Sequence, residues 1–368
     1  MKLAHISHCY KPVIGGQEVY IENLQKVFAD TGIQGDVFQP DRGVRDDGVK
    51  PVFRMRVIPR FVHGAEAHLF KFFLNLFHRN ELKHYDVIIA HYALNAWPLR
   101  RMAEKTIVLS HGVEWHLENQ TWDDKKRALA AKRCFNLFPH VVNDTHYLRH
   151  HGLDIGPGEN CFQQVAPGKW FIPNCVDHQR FCKGAGHPTL ENKKVILVPR
   201  QMVEDRGIHL AIDAFKLLAD EDADLEMCLL GKRRPGPYID KLDKMILELE
   251  LSEKVYFAQD VKNEEMPAWY NGATITVIPT LRREGTSLSA LESMSCGTAT
   301  VSTNVAGLAD LPTVKCDPDA ESLADAIRNT LKNKENIAEL QQRKVQDVFN
   351  MDNWAKAWLK VIGSIGKN

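Results

Sequence analysis

"TITVIPT" (Thr274–Thr280) is followed, three residues later, by "EGTSLSALESMSCG" (Glu284–Gly297), and the reading of this stretch decides the fold. The first part is a short apolar, β-branched run, the pattern of a strand buried on both faces. The second reads as a helix over Thr286 to Cys296, with Leu288, Leu291 and Ser295 inward and Gly297 ending it. A buried strand running into a helix is the unit of a parallel sheet covered by helices. Yet the strand exit carries Glu284 and the helix carries Glu292. A strand exit needs turn residues and an inward helix position needs apolar ones, so both carboxylates ask for something to bind. Glu292 lies four residues after Leu288, on or beside the buried stripe, where a carboxylate needs donors. Glu284 precedes the helix, whose first N–H groups, those of Gly285, Thr286, Ser287 and Leu288, are aimed at any phosphate.

The same alternation runs along the chain. The clearest strands are "KLAHISHC", "DVIIAHY", "TIVLSHG" and "HVVND", then "KVILVPR", "LEMCLLG", "KVYFAQ" and "TITVIPT". Amphipathic helices lie between them, such as "EVYIENLQKVFADTG", with Val19, Tyr20, Leu24, Val27 and Phe28 in one stripe and Gly32 as terminator. The expected fold class is α/β: two Rossmann-like domains with parallel sheets facing a central cleft. The 368 residues suit two such domains. The pattern lapses in a Gly- and Pro-rich segment from about 152 to 190. The first domain is therefore placed at 1–177, a linker at 178–186 and the second domain at 187–345. The last segment, 346–368, comes after the second sheet is complete and is free to cross back to the first domain.

Composition narrows the function classes. Lys plus Arg and Asp plus Glu both number 47, so no global field points to nucleic acid or an acidic polymer. "MKLAHISHCY" lacks the features of a secretory signal, and no run approaches the roughly 20 apolar residues of a membrane span. Eight scattered Cys, without a Cys-x-x-Cys pair, suit reduced thiols, and the expected location is cytoplasmic. His146, His150 and His151 have helical spacing but no third ligand near them, so a solvated helix end is favoured over a metal site.

In open parallel sheets ligands bind at the carboxyl ends of the strands. The first such loop holds Gly15 and Gly16 just before a helix. Two glycines let a phosphate approach a helix N-terminus, although a tight turn would also explain them. They do not form G-x-G-x-x-G, which weakens a nicotinamide dehydrogenase. "TIVLSHG" ends in His111, with Glu114 and His116 beyond; a His there is able to donate to a sugar hydroxyl, or simply to cap or pack. Arg200 leaves the strand "VILVPR", and Arg206 precedes Gly207 at the next helix. Two guanidiniums and a helix N-terminus make a diphosphate clamp without a metal, if they are not plain surface arginines.

Taken in order, "GGQEVYIENL", "SHG", "VVNDTHYLRHHG", "WFIPNCVDHQRF", "VPRQMVEDRGIHLAIDAF" and "REGTSLSALESMSCGTATVSTNVAGLADL" resemble the retaining GT-B glycosyltransferases of family 4, marked by an E-x7-E motif. The resemblance implies GT-B architecture, with the acceptor on the first domain and the nucleotide sugar on the second. It implies that Gly15 and Gly16 lie at the donor, with Gly16 contacting its phosphate, and that His111 reaches the transferred sugar. Arg200 and Arg206 would hold the diphosphate. Glu284 would bind sugar hydroxyls near the reacting carbon and Glu292 the ribose, with Gly285, Thr286, Ser287 and Leu288 along the donor. Three departures stand out. The family's Lys is Arg206, one residue further from Arg200. "GTSLS" replaces the usual floor of the sugar pocket. Cys175 and Ala306 stand where Gly is common.

Breaking a sugar–diphosphate bond builds negative charge on the leaving phosphate, which Arg200, Arg206 and the helix N-terminus would stabilise. No Asp-x-Asp stands at a strand exit, since Asp222 and Asp224 lie in a charged turn, so neither metal nor cofactor is expected. Front-face attack with retention is expected, because no second carboxylate pair offers a double displacement. The segment Arg60 to Asp86 carries five Phe with interleaved basic residues. It reads as a helix packed on the sheet, or as a surface dipping into an anionic bilayer towards a lipid-linked acceptor. In that case the protein would sit peripherally on the inner face of the membrane. The rival functions are a GT-B sugar-nucleotide epimerase and a non-catalytic sugar-nucleotide or glycan-binding module.

Overall fold

The computed structural model describes residues 1–12, 15–54, 65–117 and 120–365. The chain forms two compact units, one made of Met1–Ile155, Asn160–Pro173 and the chain from Trp354 on, the other of Gly156–Glu159 and Asn174–Asn353.

The first unit is built on eight strands: β1 (Lys2–Ile6), β2 (Gln34–Asp41), β3 (Val49–Arg54), β4 (Val87–His91), β5 (Thr106–Ser110), β6 (His140–Val142), β7 (Gln163–Ala166) and β8 (Lys169–Phe171). Their order in the sheet is β3-β2-β1-β4-β5-β6-β8-β7. All pairs are parallel except β7 with β8, an antiparallel hairpin. Strands β4 and β5 are buried along their whole length, as their unbroken apolar runs require. In the helix Gly16–Asp30 the buried stripe is Tyr20, Ile21, Leu24, Val27 and Phe28; Val19 is only half-buried and Ile21 takes its place. Trp358 stacks edge-on against Tyr20 and Phe28 and donates from its indole N–H to the Tyr20 hydroxyl at 2.9 Å. The last helix, Met351–Ile365, thus adds two fully buried indoles, Trp354 and Trp358, to this unit.

The second unit carries β9 (Lys194–Pro199), β10 (Leu225–Leu230), β11 (Val255–Ala258), β12 (Ile275–Ile278), β13 (Thr300–Thr303) and β14 (Val314–Cys316), all parallel, in the order β11-β10-β9-β12-β13-β14. Each sheet therefore runs third-second-first-fourth-fifth-sixth strand, and its order reverses between the first and fourth strands. The chain leaves these two strands in opposite lateral directions there, which opens a crevice at their carboxyl ends.

Residues 178–186, read as a linker, lie inside the second unit. Phe181 is buried, and its carbonyl accepts from Ser295 Oγ at 2.6 Å. Asn271 holds both the Cys182 carbonyl and the Gly184 N–H at 3.0 Å. An anchored aromatic ring makes this segment part of the core edge, despite its glycines.

Candidate active site

The reversal between β9 and β12 gathers the second unit's polar residues. Arg200 follows β9 directly; its N–H is bound by the Leu230 carbonyl of β10 at 2.9 Å, and its side chain is buried. The chain then makes a 3₁₀ turn, Glu204–Arg206, closed by Gly207 at φ +67°. A Cβ on Gly207 would lie 1.9 Å from the Pro279 carbonyl oxygen at the end of β12, so only glycine lets the two strand exits approach this closely. That turn brings Arg206 back to the chain that follows β12. Both guanidiniums reach one oxygen, Oε2 of Glu284, in charge-assisted contacts. Arg200 also donates to Thr280 Oγ1 at 3.0 Å, and Arg206 to the Arg283 carbonyl at 2.8 Å. Thr280 Oγ1 donates to the same Glu284 oxygen at 3.2 Å, while Arg283 is turned away and paired with Asp205.

Glu284, read as a ligand of the sugar, and Arg200 and Arg206, read as ligands of the diphosphate, also pair with one another. Among the described residues one carboxylate faces two guanidiniums, so the cluster keeps a net positive charge. Burial opposes the charge on Arg200 and lowers its pKa, with Glu284 acting against that shift. Among the described residues, Arg200 Nε is buried with no hydrogen-bond partner. A buried N–H of a cation left without an acceptor is costly, and an anionic ligand oxygen would satisfy it.

The helix begins later than expected, spanning Leu288–Ser295, because Ser287 caps it by accepting from the Ala290 N–H at 3.4 Å. Thr286 and Ser287 are buried, whereas Gly285 and Leu288 are half-buried. Leu288 is thus not an inward position; Ala290, Leu291 and Met294 fill that role. Glu292, one turn on, accepts from the Tyr270 hydroxyl at 2.8 Å. Burial pushes its carboxyl above the usual range, while Tyr270 draws it down. Thr280 and Tyr270 escaped the sequence reading; only their places at a strand exit and in a neighbouring helix mark them.

In the first unit the equivalent reversal, between β1 and β4, gathers histidines. His111 follows β5 and its Nε2 lies 3.0 Å from Nδ1 of His91, the last residue of β4. His91 Nε2 in turn lies 3.2 Å from Nδ1 of His5 in β1. Burial holds the pKa of His111 and of His5 down at about 3, so both rings are neutral. Glu114, just beyond, is pushed up to about 8 by burial, against the pull of Arg127 and Lys71. Gly15 is the N-cap of the helix Gly16–Asp30, and the neighbouring residues 13 and 14 lie outside the described ones. The buried Glu18 sits in that helix's first turn, so a phosphate at Gly15 and Gly16 would meet a carboxylate.

Of the aromatic segment, residues 60–64 lie outside the described ones. From Leu69 on it divides in two. Phe70 and Leu74 are buried, while Phe72, Leu76 and Phe77 are 59%, 58% and 64% exposed. Asp222 pairs with Lys194 in a surface turn. Among the described residues there is no group of three His, Cys, Asp or Glu suited to a metal, and no helix long and apolar enough to cross a membrane. His150 and His151 pack against the Trp115 ring instead.

Residues 14–168 match the family described as Glycosyltransferase Family 4, and residues 185–347 match Glycosyl transferases group 1. The chain belongs to glycosyltransferase family 4. The glycosyltransferase is 24% identical over 331 residues to D-inositol 3-phosphate glycosyltransferase of Paenarthrobacter aurescens strain TC1, covering 80% of this chain and 77% of that one. Its fold is similar to sucrose-phosphate synthase of Thermosynechococcus elongatus, with a TM-score of 0.78, 18% identity and coverage of 99% and 98%. It is likewise similar to Anabaena HepE in complex with UDP and glucose, with a TM-score of 0.76, 16% identity and coverage of 99% and 100%. Two parallel-sheet domains of this kind are the GT-B architecture. The family membership favours a nucleotide-sugar glycosyltransferase over the epimerase and the non-catalytic module.

The glycosyltransferase's departures from its family have local explanations. Cys175 is buried, with its sulfur 3.1 Å from that of Met351. Gly307 is required, because a Cβ there would lie 2.3 Å from the Gly285 carbonyl oxygen beside Glu284. Ala306 carries a left-handed backbone, φ +46°, where glycine would be unstrained. A left-handed L-residue costs roughly 1–2 kcal/mol, and glycine's greater freedom in the unfolded chain returns about 0.4–1 kcal/mol of that. Ala306→Gly should therefore stabilise the protein by about 0.5–1 kcal/mol in urea melts, whereas Gly307→Ala should destabilise it. The opposite pair of signs would contradict this reading of the loop.

Proposed function

We propose that the enzyme is a retaining, metal-independent hexosyltransferase that binds a nucleotide sugar at the β9/β12 crevice. The observation that supports it is the buried, net-positive cluster of Arg200, Arg206 and Glu284, with Arg200 Nε unpaired among the described residues. A donor diphosphate would take the guanidiniums in bidentate or shared contacts, extended by the N–H groups of Gly285 to Leu288. Glu284 uses only Oε2 for its contacts with Arg200, Arg206 and Thr280. Its other oxygen is then available for hydroxyls of the transferred sugar, close to the carbon that becomes positive. Glu292 would bind the ribose, exchanging or sharing its Tyr270 partner. His111 would donate to the sugar, and Gly15 and Gly16 would lie along the donor, with the Glu18 carboxylate opposing a closer approach of its phosphate.

In this reaction the bond from the anomeric carbon to the diphosphate oxygen breaks with its electron pair going to the phosphate. The arginines and the helix N-terminus stabilise that charge without reorganising. The acceptor hydroxyl attacks from the face the phosphate leaves, its oxygen bonds to the anomeric carbon, and its proton passes to a phosphate oxygen. No cofactor and no metal take part. The acceptor is a glycan, a lipid-linked saccharide or a small molecule, in polysaccharide or glycoconjugate synthesis, and the expected location is cytoplasmic.

The exposed Phe72, Leu76 and Phe77, with Arg79 and Lys83 near them in sequence, support peripheral contact with an anionic bilayer on its inner face, which suits a lipid-linked acceptor.

Three experiments test these readings. Screened against UDP-glucose, GDP-mannose and ADP-glucose, the enzyme should be stabilised by about 2.7 kcal/mol at 100 times the dissociation constant of its donor. Turnover of that donor should survive EDTA; activity lost to the chelator and restored by Mg²⁺ or Mn²⁺ would refute the metal-independent mechanism. Vesicles containing phosphatidylglycerol should sediment the wild type and not the Phe72→Asp, Phe77→Asp double variant. Equal recovery of the two would leave the aromatic segment as a plain sheet-packing element.

A further inference from the structure

His5, His91 and His111 form a continuous chain of ring nitrogens across three adjacent strands at the first unit's reversal point. The two contacts are His5 Nδ1 to His91 Nε2 at 3.2 Å and His91 Nδ1 to His111 Nε2 at 3.0 Å. His5 and His91 are fully buried and His111 is half-buried. The His91 and His111 rings lie nearly parallel, at 13° with centroids 5.3 Å apart. Tyr20 meets the His111 ring edge-on at 5.2 Å, and Tyr92 covers it at 5.1 Å from a backbone with φ +72°. Such a backbone is strained for Tyr and is kept only where its surroundings hold it.

Each nitrogen-to-nitrogen contact needs one N–H and one lone pair, and a neutral imidazole has one of each. The tautomers are therefore coupled: all three rings carry the proton on Nδ1, or all three carry it on Nε2. The far end of the chain decides between them. Among the described residues, His5 Nε2 is buried with no hydrogen-bond partner. In the all-Nε2 arrangement it would be a buried N–H without an acceptor. In the all-Nδ1 arrangement it is only an unused lone pair, the less costly of the two defects. Three abutting rings in a desolvated site also repel a proton on any of them, and burial keeps them neutral.

We propose that His5 and His91 are positioning residues that lock His111 in the Nδ1-protonated tautomer, so that the ring edge turned away from His91 is a neutral hydrogen-bond donor for a hydroxyl of the transferred sugar. The inference rests on the role proposed above for His111 and adds the reason that it acts as a donor of fixed direction. A neutral donor also adds no positive charge beside a sugar carbon that is itself becoming positive.

The test begins with the wild-type enzyme labelled with ¹⁵N-histidine, its ring nitrogens assigned by the signals lost in His111→Gln and His91→Gln. Long-range ¹H–¹⁵N correlation should show His111 protonated at Nδ1 alone. A proton on Nε2, or a mixture of the two tautomers, would overturn the proposal without any variant needing to fold. In His91→Phe, which deletes both contacts, His111 should become a mixture. Turnover of UDP-glucose, GDP-mannose or ADP-glucose, whichever is the donor, should then fall about tenfold in kcat with KM little changed, the size of one neutral hydrogen bond. A single Nδ1 tautomer persisting in His91→Phe would also overturn it. If His111→Phe turns over normally while the wild-type tautomer is as stated, the sugar contact fails and the tautomer lock stands, so the two failures are distinguishable.

Discussion

The carboxylate of Glu284 between Arg200 and Arg206 is the interaction on which the second unit's arrangement turns. Taking a guanidinium out of water costs several kcal/mol, and a single ion pair repays this only with good geometry and further hydrogen bonds. Here the repayment comes from Glu284 together with the hydroxyls of Thr280 and Ser287, all contributed by the chain that follows β12. The desolvated cation therefore ties the exit of β9 to the exit of β12, at the point where the sheet's order reverses. Removing one partner of such a buried pair costs about 3–5 kcal/mol, because it leaves the other charge uncompensated. The close approach at Gly207 and at Gly307 serves the same contact. Each glycine lets a backbone pass where a Cβ would collide with a carbonyl oxygen.

The first unit solves the equivalent position with neutral groups. Where the second unit places a cation and a carboxylate, the first places three imidazoles that burial keeps uncharged. Charge of one sign suits a diphosphate, while an uncharged donor suits a sugar hydroxyl. The same strand order thus presents two different chemistries, decided by a few residues at strand ends.

Much of this was legible in the sequence, for physical reasons that differ by element. Buried parallel strands such as "VIIAH" and "KVILVP" announce themselves because both faces must be apolar. The strands β2, with a Pro and two Asp, and β13, "TVST", do not, since polar atoms there are satisfied by neighbours. Arg200, Arg206, Glu284 and Glu292 could be named because charged side chains at strand exits or beside a helix's buried stripe need partners to offset their desolvation. Their mutual pairing could not, because it depends on how far a 3₁₀ turn carries Arg206. The linker at 178–186 was misplaced because glycine content signals a flexible backbone and says nothing of the Phe181 ring that anchors it. His5 and His91 were hidden for a related reason: only the sheet order β1-β4-β5 puts them in line with His111.

The most direct test of the central claim is one variant, Glu284→Gln, measured for melting temperature and steady-state kinetics with the donor on the same preparation. If the Glu284 cluster is the donor site, kcat should fall more than KM rises, since the carboxylate acts on a charge that develops only in the transition state. Any loss of stability should accompany that fall. A lowered melting temperature with wild-type kcat would contradict the account, and would make Glu284 a structural anchor for two buried arginines and nothing more.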